Sequence, residues 1–294
     1  MTEPLASLSD ALEAHAARGL ACVAGLDFGG RFTLSAIQWR PGVLVTSEQS
    51  LPEADSIAAI LPGGARAAAT LAGRDPTTNI AVLRIDGGAT TPASGEVRGI
   101  GGLVLAIGSD GEGGGTARMG VVERAGPAWD SRRGGRIDAM IRIGVRLGAG
   151  AEGGPVLDAR GALLGMSTFG PRRGVMVIPA STIARIVDPL LAQGRIVGGW
   201  LGAGLHSVAL TPELGARAGL ETGLMVVSIA PDSPASACLL PGDILLEIAG
   251  RVVASPRAVA AALGGETIGQ MVELKLLRGG EILRVGATVA ARPQ

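Results

Sequence analysis

The chain has 294 residues, and its 26 Lys and Arg balance its 26 Asp and Glu, so the formal net charge is zero. A neutral chain lacks the positive field that attracts nucleic acid or an acidic membrane surface. Hydrophobic residues make up 47% of the sequence, which is enough to bury roughly two domain cores. The composition therefore predicts a globular protein that does not bind nucleic acid.

The cysteines and the N-terminal residues exclude further classes. Cys22 and Cys238 lie far apart, and neither has a Cys or His at the spacing of a metal site, so we expect no metal and no other cofactor. Residues 1–4 carry an acid where a secretion signal carries basic residues. No apolar run approaches the ~18 residues of a membrane span. These features predict a cytoplasmic protein without a membrane span, or a periplasmic one if the start site is wrong.

The first 86 residues predict a helix followed by a small barrel. Between Leu5 and Arg18 apolar residues recur every three or four positions, which indicates an amphipathic helix over residues 1–18. Residues 19–86 then hold six short runs rich in Val, Ile, Leu and Ala. Short strands without a long helix between them are typical of a closed antiparallel barrel. The runs are 21–26, 33–39, 42–46, 56–61, 65–72 and 80–85.

A second barrel with a closing helix is predicted over residues 99–195. Residues 86–98 are dominated by Gly, Ala and Thr, which indicates a linker between the barrels. Six more apolar runs follow, at 102–107, 117–122, 137–143, 154–158, 162–168 and 175–178. From residue 180 the apolar side chains recur with a helical period, and we expect this helix to end near Gly194.

Residues 196–294 predict a separate α+β unit. Ser255 and Pro256 form a helix cap and a first helical turn. Residues 272–276 alternate strictly between apolar and charged side chains, as a half-buried strand does. Gly279 and Gly280 indicate a hairpin turn after that strand. The fold class predicted for the whole chain is mainly β, with two antiparallel barrels within residues 19–195 and a mixed unit behind them.

Ordered motifs along the chain resemble those of one protease family. Residues 150–156, 161–168 and 177–179 are similar to the patterns G-N-S-G-G-P, G-x-x-x-G-x-x-T and A-I-P. Residues 42–49 and 73–83 are similar to G-x-x-x-T-x-x-H and D-x-x-T-D-L-A-V-L, and residues 233–235, 242–245 and 248–250 to S-P-A, G-D-x-I and I-x-G. These are motifs of the HtrA/Deg family of trypsin-like serine proteases. The resemblance implies a chymotrypsin-like double β-barrel followed by one PDZ domain.

The same resemblance places a substitution at each of the three catalytic positions. Glu152 stands at the nucleophile, Gln49 at the general base and Asn79 at the orienting carboxylate. Ser-His-Asp catalysis needs a nucleophilic oxygen, an imidazole that shuttles its proton, and a carboxylate that orients the imidazole. An amide does not exchange protons near neutral pH, so Gln49 cannot act as the base. We therefore expect a pseudoprotease without useful peptidase activity.

The loop around Glu152 keeps the glycines of an oxyanion loop. The remnant consists of Gly150, Ala151, Glu152 and Gly153. Two arrangements are open: the Glu152 carboxylate accepts hydrogen bonds from the N–H groups of this loop, or the loop has drifted and Glu152 points into solvent.

The resemblance also implies a peptide-binding groove in the last unit. A PDZ domain adds the C-terminus of its ligand as a strand, holds the terminal carboxylate with loop N–H groups, and closes a side-chain pocket with a helix. By resemblance the loop is 200–203, the receiving strand 203–207 and the helix 256–263. The candidate groove residues are Trp200, Leu201, Gly202, Ala203, Leu205, His206, Val259 and Leu263.

Three functions follow from these expectations. The first is an inactive protease homologue that binds peptides or protein C-termini as a scaffold, regulator or chaperone-like protein. The second is a regulatory subunit of a mixed oligomer with an active relative. The third is a serine endopeptidase with a non-standard site. Members of the family commonly form trimers, so the resemblance also implies a homo-oligomer.

Overall fold

The computed structural model describes residues 4–29, 33–54, 57–88, 93–96, 99–171 and 174–293. The chain divides into two units. The first, here the barrel unit, contains Met1–Ser131 and Arg136–Ile196, and the second, here the C-terminal unit, contains Arg132–Gly135 and Val197–Gln294. Among the described residues, no helix combines the length and the apolar character that crossing a bilayer requires.

Helix α1, Pro4–Ala21, packs on the barrel unit through its C-terminal half. Ala16 and Leu20 lie against a small buried cluster that includes Ile107. Gly19 allows this close approach, because a Cβ at residue 19 would lie 2.6 Å from Ile107 Cγ1. The predicted helix over residues 1–18 is therefore present but continues to Ala21, and its first three residues lie outside the described part.

Six short strands close the first barrel, as their spacing predicted. The strands are β1 Val23–Asp27, β2 Thr33–Arg40, β3 Val43–Ser47, β4 Ile57–Ile60, β5 Arg66–Asp75 and β6 Ile80–Ile85. They form a closed antiparallel barrel in the order β1-β2-β3-β6-β5-β4. Leu26, Leu44 and Leu83 are fully buried in its core. Residue 56 of the predicted run 56–61 lies outside the described residues.

The second barrel also closes with six strands. The elements are β7 Leu103–Ser109, β8 Gly115–Gly126, β9 Trp129–Asp130, β10 Arg136–Ile137, β11 Met140–Ile143, β12 Pro155–Asp158, β13 Leu163–Phe169 and β14 Val175–Pro179. The barrel order is β11-β14-β13-β12-β7-β8, and β9 and β10 form a separate two-stranded ribbon. The predicted run 137–143 is therefore split between that ribbon and β11.

The predicted linker 86–98 is only partly described, because residues 89–92, 97 and 98 lie outside the described part. Its middle section runs beside the second barrel. Leu163 N donates to Ala93 O over 2.9 Å, and Gly95 N donates to Leu163 O over 2.8 Å. These bonds attach the section to the start of β13.

Helix α2, Ala180–Gln193, covers a core shared by the two barrels. It ends at Gly194, whose φ of 73° is the left-handed conformation that glycine adopts readily. The shared core combines side chains of β2 and β3, of β12 and β13, and of α2. Its buried members include Ile37, Val45, Leu157, Met166, Ile183, Ile186 and Leu190. The barrels thus depend on a common apolar interior as well as on their own cores.

The C-terminal unit is built on an antiparallel sheet with two short helices. Its elements are β15 Gly199–Trp200, β16 Ala203–Ala209, α3 Pro212–Ala218, β17 Thr222–Ile229, β18 Ile244–Ile248, β19 Arg251–Val252, α4 Pro256–Ala262, β20 Met271–Arg278, β21 Glu281–Thr288 and β22 Ala290–Ala291. The sheet order is β16-β17-β18-β20-β21, so β16 is an edge strand. Thr211 and Ser255 cap α3 and α4 with their side-chain oxygens.

Truncating a side chain of the shared core tests its contribution to stability. Leu190 is fully buried, whereas its neighbour Leu191 is partly exposed. We expect Leu190→Ala to lower the free energy of unfolding by about 2–5 kcal/mol, because the lost apolar contacts leave a cavity. Urea unfolding followed by circular dichroism measures this loss. Leu191→Ala is the matched control, and an equal loss in both variants would contradict the prediction.

Candidate functional site

The three predicted catalytic positions meet where the two barrels face each other. Gln49 lies on the 3₁₀ turn Glu48–Ser50 behind β3, Asn79 precedes β6, and Glu152 follows the turn Ala149–Ala151. Gln49 Nε2 donates to Glu152 Oε1 over 2.6 Å, and Gln49 N donates to Asn79 Oδ1 over 2.7 Å. Asn79 has a φ of 62°, a left-handed conformation that asparagine tolerates. The structure therefore brings all three residues together.

The Glu152 carboxylate is buried and surrounded by neutral donors. Glu152 is only 2% exposed. Its Oε1 accepts from Ser47 Oγ at 3.0 Å, Gln49 Nε2 at 2.6 Å, Thr168 Oγ1 at 2.8 Å and Phe169 N at 3.1 Å, and its Oε2 accepts from Ser50 Oγ at 2.5 Å. A buried carboxylate without a cation needs such donors, because leaving it unsatisfied costs several kcal/mol. We call these residues together with Asn79 the Glu152 network.

Asn79 bonds to two hydroxyls of this network. Its Nδ2 donates to Ser47 Oγ over 3.1 Å and to Thr168 Oγ1 over 2.7 Å. A hydroxyl has a single proton, and one that accepts from Asn79 has that proton free to donate elsewhere. Ser47 and Thr168 can therefore both donate to Glu152. The amide of Asn79 suits this role because it offers two donor protons, whereas an ionised aspartate offers none.

The environment of Glu152 keeps its carboxyl ionised. Burial raises its pKa, but the hydrogen bonds from Ser50, Gln49, Phe169 N and Thr168 lower it more, so the pKa lies below the usual value of 4.5. Each of these groups donates to the charged form and therefore favours it. The site consequently holds a negative charge at neutral pH.

Neither of the two arrangements expected for the oxyanion loop describes the structure. The donors to Glu152 come from the Ser47–Ser50 segment and from β13, not from the loop's own N–H groups, and the side chain is not in solvent. The loop is fixed differently: Gly150 O accepts from Ser35 Oγ, and Gly153 N donates to Ser167 O. These contacts leave the carboxylate free to turn towards Gln49.

Gly153 is a loop position where only glycine fits. Its φ is 86°, and a Cβ there would lie 2.2 Å from Ser35 O and 2.5 Å from Thr46 Oγ1. The retained glycine motif thus serves close packing of the loop on the first barrel.

The barrel unit has one histidine, and that residue lies outside the Glu152 network. His15 is on α1, where its ring bonds to Ala159 O at 3.0 Å and to the Arg18 guanidinium. The chain's other histidine, His206, belongs to the C-terminal unit. The described contacts of the network therefore include no imidazole.

Four residues of the network were not predicted as site residues. Ser47 and Ser50 flank Gln49, and Thr168 stands at the threonine of the G-x-x-x-G-x-x-T pattern. These hydroxyls were visible in the sequence, but only the fold shows that they point at one carboxylate. Phe169 contributes a backbone N–H, for which its side-chain type gives no signal.

In the C-terminal unit, most of the predicted groove residues share one cluster. Ala203 and Leu205 of β16 pack against the same buried core as Val259 and Leu263 beside α4. Leu201 is buried in that core as well. The cluster lies under the open edge of β16, where an added strand would place its side chains.

The remaining groove candidates have different surroundings. Trp200 pairs with Ala290 in the small β15–β22 ribbon. Gly202 has a φ of 83°, and a Cβ there would lie 2.2 Å from Ser233 Cβ, so the predicted carboxylate loop requires glycine. His206 pairs with Met225, is exposed and is not part of the apolar cluster.

Comparisons with known proteins agree with this architecture. Residues 34–166 match the family model described as a trypsin-like peptidase domain, and residues 200–289 match the PDZ domain model. Two solved structures, titled HtrA-type protease AlgW with decapeptide and with tripeptide, superpose with TM-scores of 0.75 and 0.74 at 27% and 29% identity. Each superposition covers 96% of this chain. It covers 99% of the solved chain with the decapeptide and 98% of the one with the tripeptide.

Curated relatives are named as probable periplasmic serine endoproteases, DegP-like. The protein of Brucella suis biovar 1 (strain 1330) is 30% identical over 267 residues, 86% of this chain and 51% of the relative. The protein of Bartonella henselae (strain ATCC 49882 / DSM 28221 / CCUG 30454 / Houston 1) is 27% identical over 280 residues, 91% of this chain and 54% of the relative. The chain thus spans about half the length of these relatives.

The fold defines a trypsin-like peptidase unit joined to a PDZ domain. The chain belongs to this class as a homologue of the HtrA/DegP proteins, and the predicted family and fold class are confirmed. The predicted cytoplasmic location is wrong, because the relatives are named as periplasmic. That prediction rested on the acid among residues 1–4 and on the lack of long apolar runs. Neither feature determines the compartment in which a folded domain is found.

The lowered pKa of Glu152 predicts how acid affects stability. In the unfolded chain the carboxyl has its usual pKa of 4.5, so the network stabilises the fold fully above pH 4.5 and loses this effect as the pH falls through the folded-state pKa. We expect Glu152→Gln to lower the free energy of unfolding at pH 7 by about 1.5–3 kcal/mol, because bonds to a charge are lost. The difference from wild type should shrink below pH 4.5.

Urea titrations of both proteins between pH 7 and pH 3 measure this difference. The matched control is Glu53→Gln, which removes an exposed carboxylate close to the network in sequence. A constant difference between wild type and Glu152→Gln across that pH range would show that Glu152 is not ionised in the fold.

Proposed function

We propose that this protein is a catalytically inactive HtrA/DegP homologue that binds peptides or protein C-termini through its PDZ domain. The observation that carries the proposal is the Glu152 network. The three positions that resemble a catalytic triad hold one carboxylate and two amides, and neutral hydroxyls bond to that carboxylate. The assignment of Gln49, Asn79 and Glu152 to those positions is part of the proposal.

The chemistry of the network argues against peptide hydrolysis. An amide cannot take the proton of a nucleophile near neutral pH, so neither Gln49 nor Asn79 supplies a general base. The ionised Glu152 repels the negative charge that develops on a tetrahedral intermediate, whereas a protease stabilises that charge. Loss of triad members costs on the order of 10⁶-fold in turnover. In the part of the chain that the structure describes, the bonded partners of the Ser47, Ser50 and Thr168 hydroxyls include no imidazole.

The C-terminal unit supports the binding part of the proposal. The open edge of β16 offers main-chain groups to an added strand, and the cluster formed by Leu205, Val259 and Leu263 offers an apolar pocket. Gly202 lets its loop pass close to Ser233, because a Cβ at residue 202 would collide with the Ser233 side chain. A ligand with a free carboxylate and an apolar last residue fits these features.

Location, assembly and domain limits belong to the same proposal. We infer a periplasmic protein, which fits the names of the curated relatives.

We also propose a homo-oligomer, or a mixed oligomer with an active relative in which this chain contributes a PDZ domain. The boundary near residue 196 between the barrels and the PDZ domain is proposed from the end of the helix near Gly194 and from the motifs that follow it.

Proteolysis assays test the inactive site. We expect no cleavage of unfolded casein by wild type and no labelling by a fluorophosphonate probe. Glu152→Ser should stay equally inactive, because a serine hydroxyl without a base is a poor nucleophile. An HtrA protease with an intact triad is the positive control. Casein cleavage by wild type, or labelling of any serine, would instead favour a serine endopeptidase with a non-standard site.

Peptide titrations test the PDZ groove. We expect a fluorescent decapeptide with an apolar C-terminal residue to bind, and its C-terminal amide to bind at least tenfold more weakly, because the loop N–H groups lose a charged acceptor. Leu205→Ala should weaken binding by about tenfold, which corresponds to ~1.4 kcal/mol of lost apolar contact. The matched control is Val227→Ala, which removes exposed apolar atoms from the neighbouring strand β17. Equal binding of acid and amide would contradict carboxylate capture.

A further inference from the structure

Strand β13 has a free edge at its C-terminal end, in the cleft between the barrels. On one side β13 pairs with β14 as far as Phe169. On the other side its pairing with β12 ends at Met166. Ser167 then exchanges backbone hydrogen bonds with Gly153 and Gly154. Because alternate residues of a strand point their peptide groups to the same edge, Phe169 is the next position after Ser167 on this edge.

At Phe169 two side chains take the place of a neighbouring strand. Phe169 N donates to Glu152 Oε1 over 3.1 Å, and Phe169 O accepts from Gln49 Nε2 over 3.0 Å. Gln49 and Glu152 are themselves joined by a hydrogen bond of 2.6 Å. The pair thus offers one acceptor and one donor to a single residue. A residue of an antiparallel strand offers the same two groups to its hydrogen-bonded partner.

We propose that Gln49 and Glu152 form an internal cap that replaces an extended peptide on the β13 edge and closes the barrel cleft to peptides. The proposal rests on the proposed function and deepens it. The loss of catalytic groups prevents peptide cleavage at this site. The cap in addition prevents peptides from binding there. Peptides are then left with the PDZ groove alone.

A peptide does not easily displace the cap, because it cannot form all the hydrogen bonds that Gln49 and Glu152 form. An incoming residue would offer one neutral C=O and one N–H to Phe169. It would leave the hydroxyls of Ser47, Ser50 and Thr168 without the carboxylate that they now share. Hydrogen bonds to a charged group are stronger than neutral ones, so the exchange favours the cap.

The burial of Glu152 also favours the cap over a bound peptide. Its carboxylate is held from both barrels, by the Ser47–Ser50 segment of the first and by β13 of the second. To admit a peptide, this charge would have to leave donors on both sides at once. The cap therefore also holds the two walls of the cleft together.

Photocrosslinking at the cleft tests the cap. Phe169→p-benzoylphenylalanine is introduced into the full chain, and reduced casein serves as the unfolded probe. In the wild-type background we expect no crosslinks above those of the protein without light. In the Gln49→Ala/Glu152→Ala background we expect at least tenfold more crosslinked casein, because both groups of Phe169 become free. Glu53→Ala is the matched control and should behave as wild type.

A second measurement covers the case in which the double variant does not fold. Gln49→Ala alone frees Phe169 O and removes one of the five donors to Glu152, while the other four donors remain, so we expect a folded protein with intermediate crosslinking. Hydrogen exchange of the Phe169 amide should be slow in wild type and faster in Glu152→Gln, while the amide of Ser167, which donates to Gly154 O, stays slow in both.

The outcomes separate the two proposals. Crosslinking of uncleaved casein in the wild-type background would overturn the cap and leave the inactive site standing. A folded double variant without crosslinks, or equal exchange of the Phe169 amide in wild type and Glu152→Gln, would also overturn the cap. Cleavage of casein by wild type without crosslinking at residue 169 would overturn the proposed function alone.

Discussion

One buried carboxylate in the cleft of this protein requires hydrogen-bond donors, and the residues that supply them line the cleft. Glu152 is ionised and nearly inaccessible, and its partners among the residues that the structure describes include no cation, so it depends on neutral donors. Those donors come from segments of both barrels. A charge that must be satisfied from two sides ties the barrels together. Glu152 therefore has a structural role in the cleft.

The scaffold around this site is stabilised by contacts that do not involve Glu152. The apolar cluster under α2 joins both barrels, and none of its described members belongs to the Glu152 network. Gly153 is required by close packing on Ser35. The fold of the double barrel and the hydrogen bonds of the Glu152 network therefore depend on different side chains. The PDZ domain has a core of its own.

Much of this architecture could be predicted from local sequence patterns. Short apolar runs gave the strands of both barrels, and the cap at Ser255 with the glycine at 194 gave the ends of helices. Helix α3 was not predicted, because its seven residues carry too little periodicity. The location was predicted wrongly, since the sequence of a folded domain holds no physical record of its compartment.

The sequence by itself determined the family motifs, and the spacing of these motifs predicts that Gln49, Asn79 and Glu152 stand at the catalytic positions. It left open where the Glu152 carboxylate points. Only the tertiary structure decided that, because three of its donors, at residues 47, 49 and 50, are more than a hundred positions away in the chain. Local patterns report the backbone conformation of a segment, whereas the direction of a buried charge is set by every donor that the fold brings within about 3 Å.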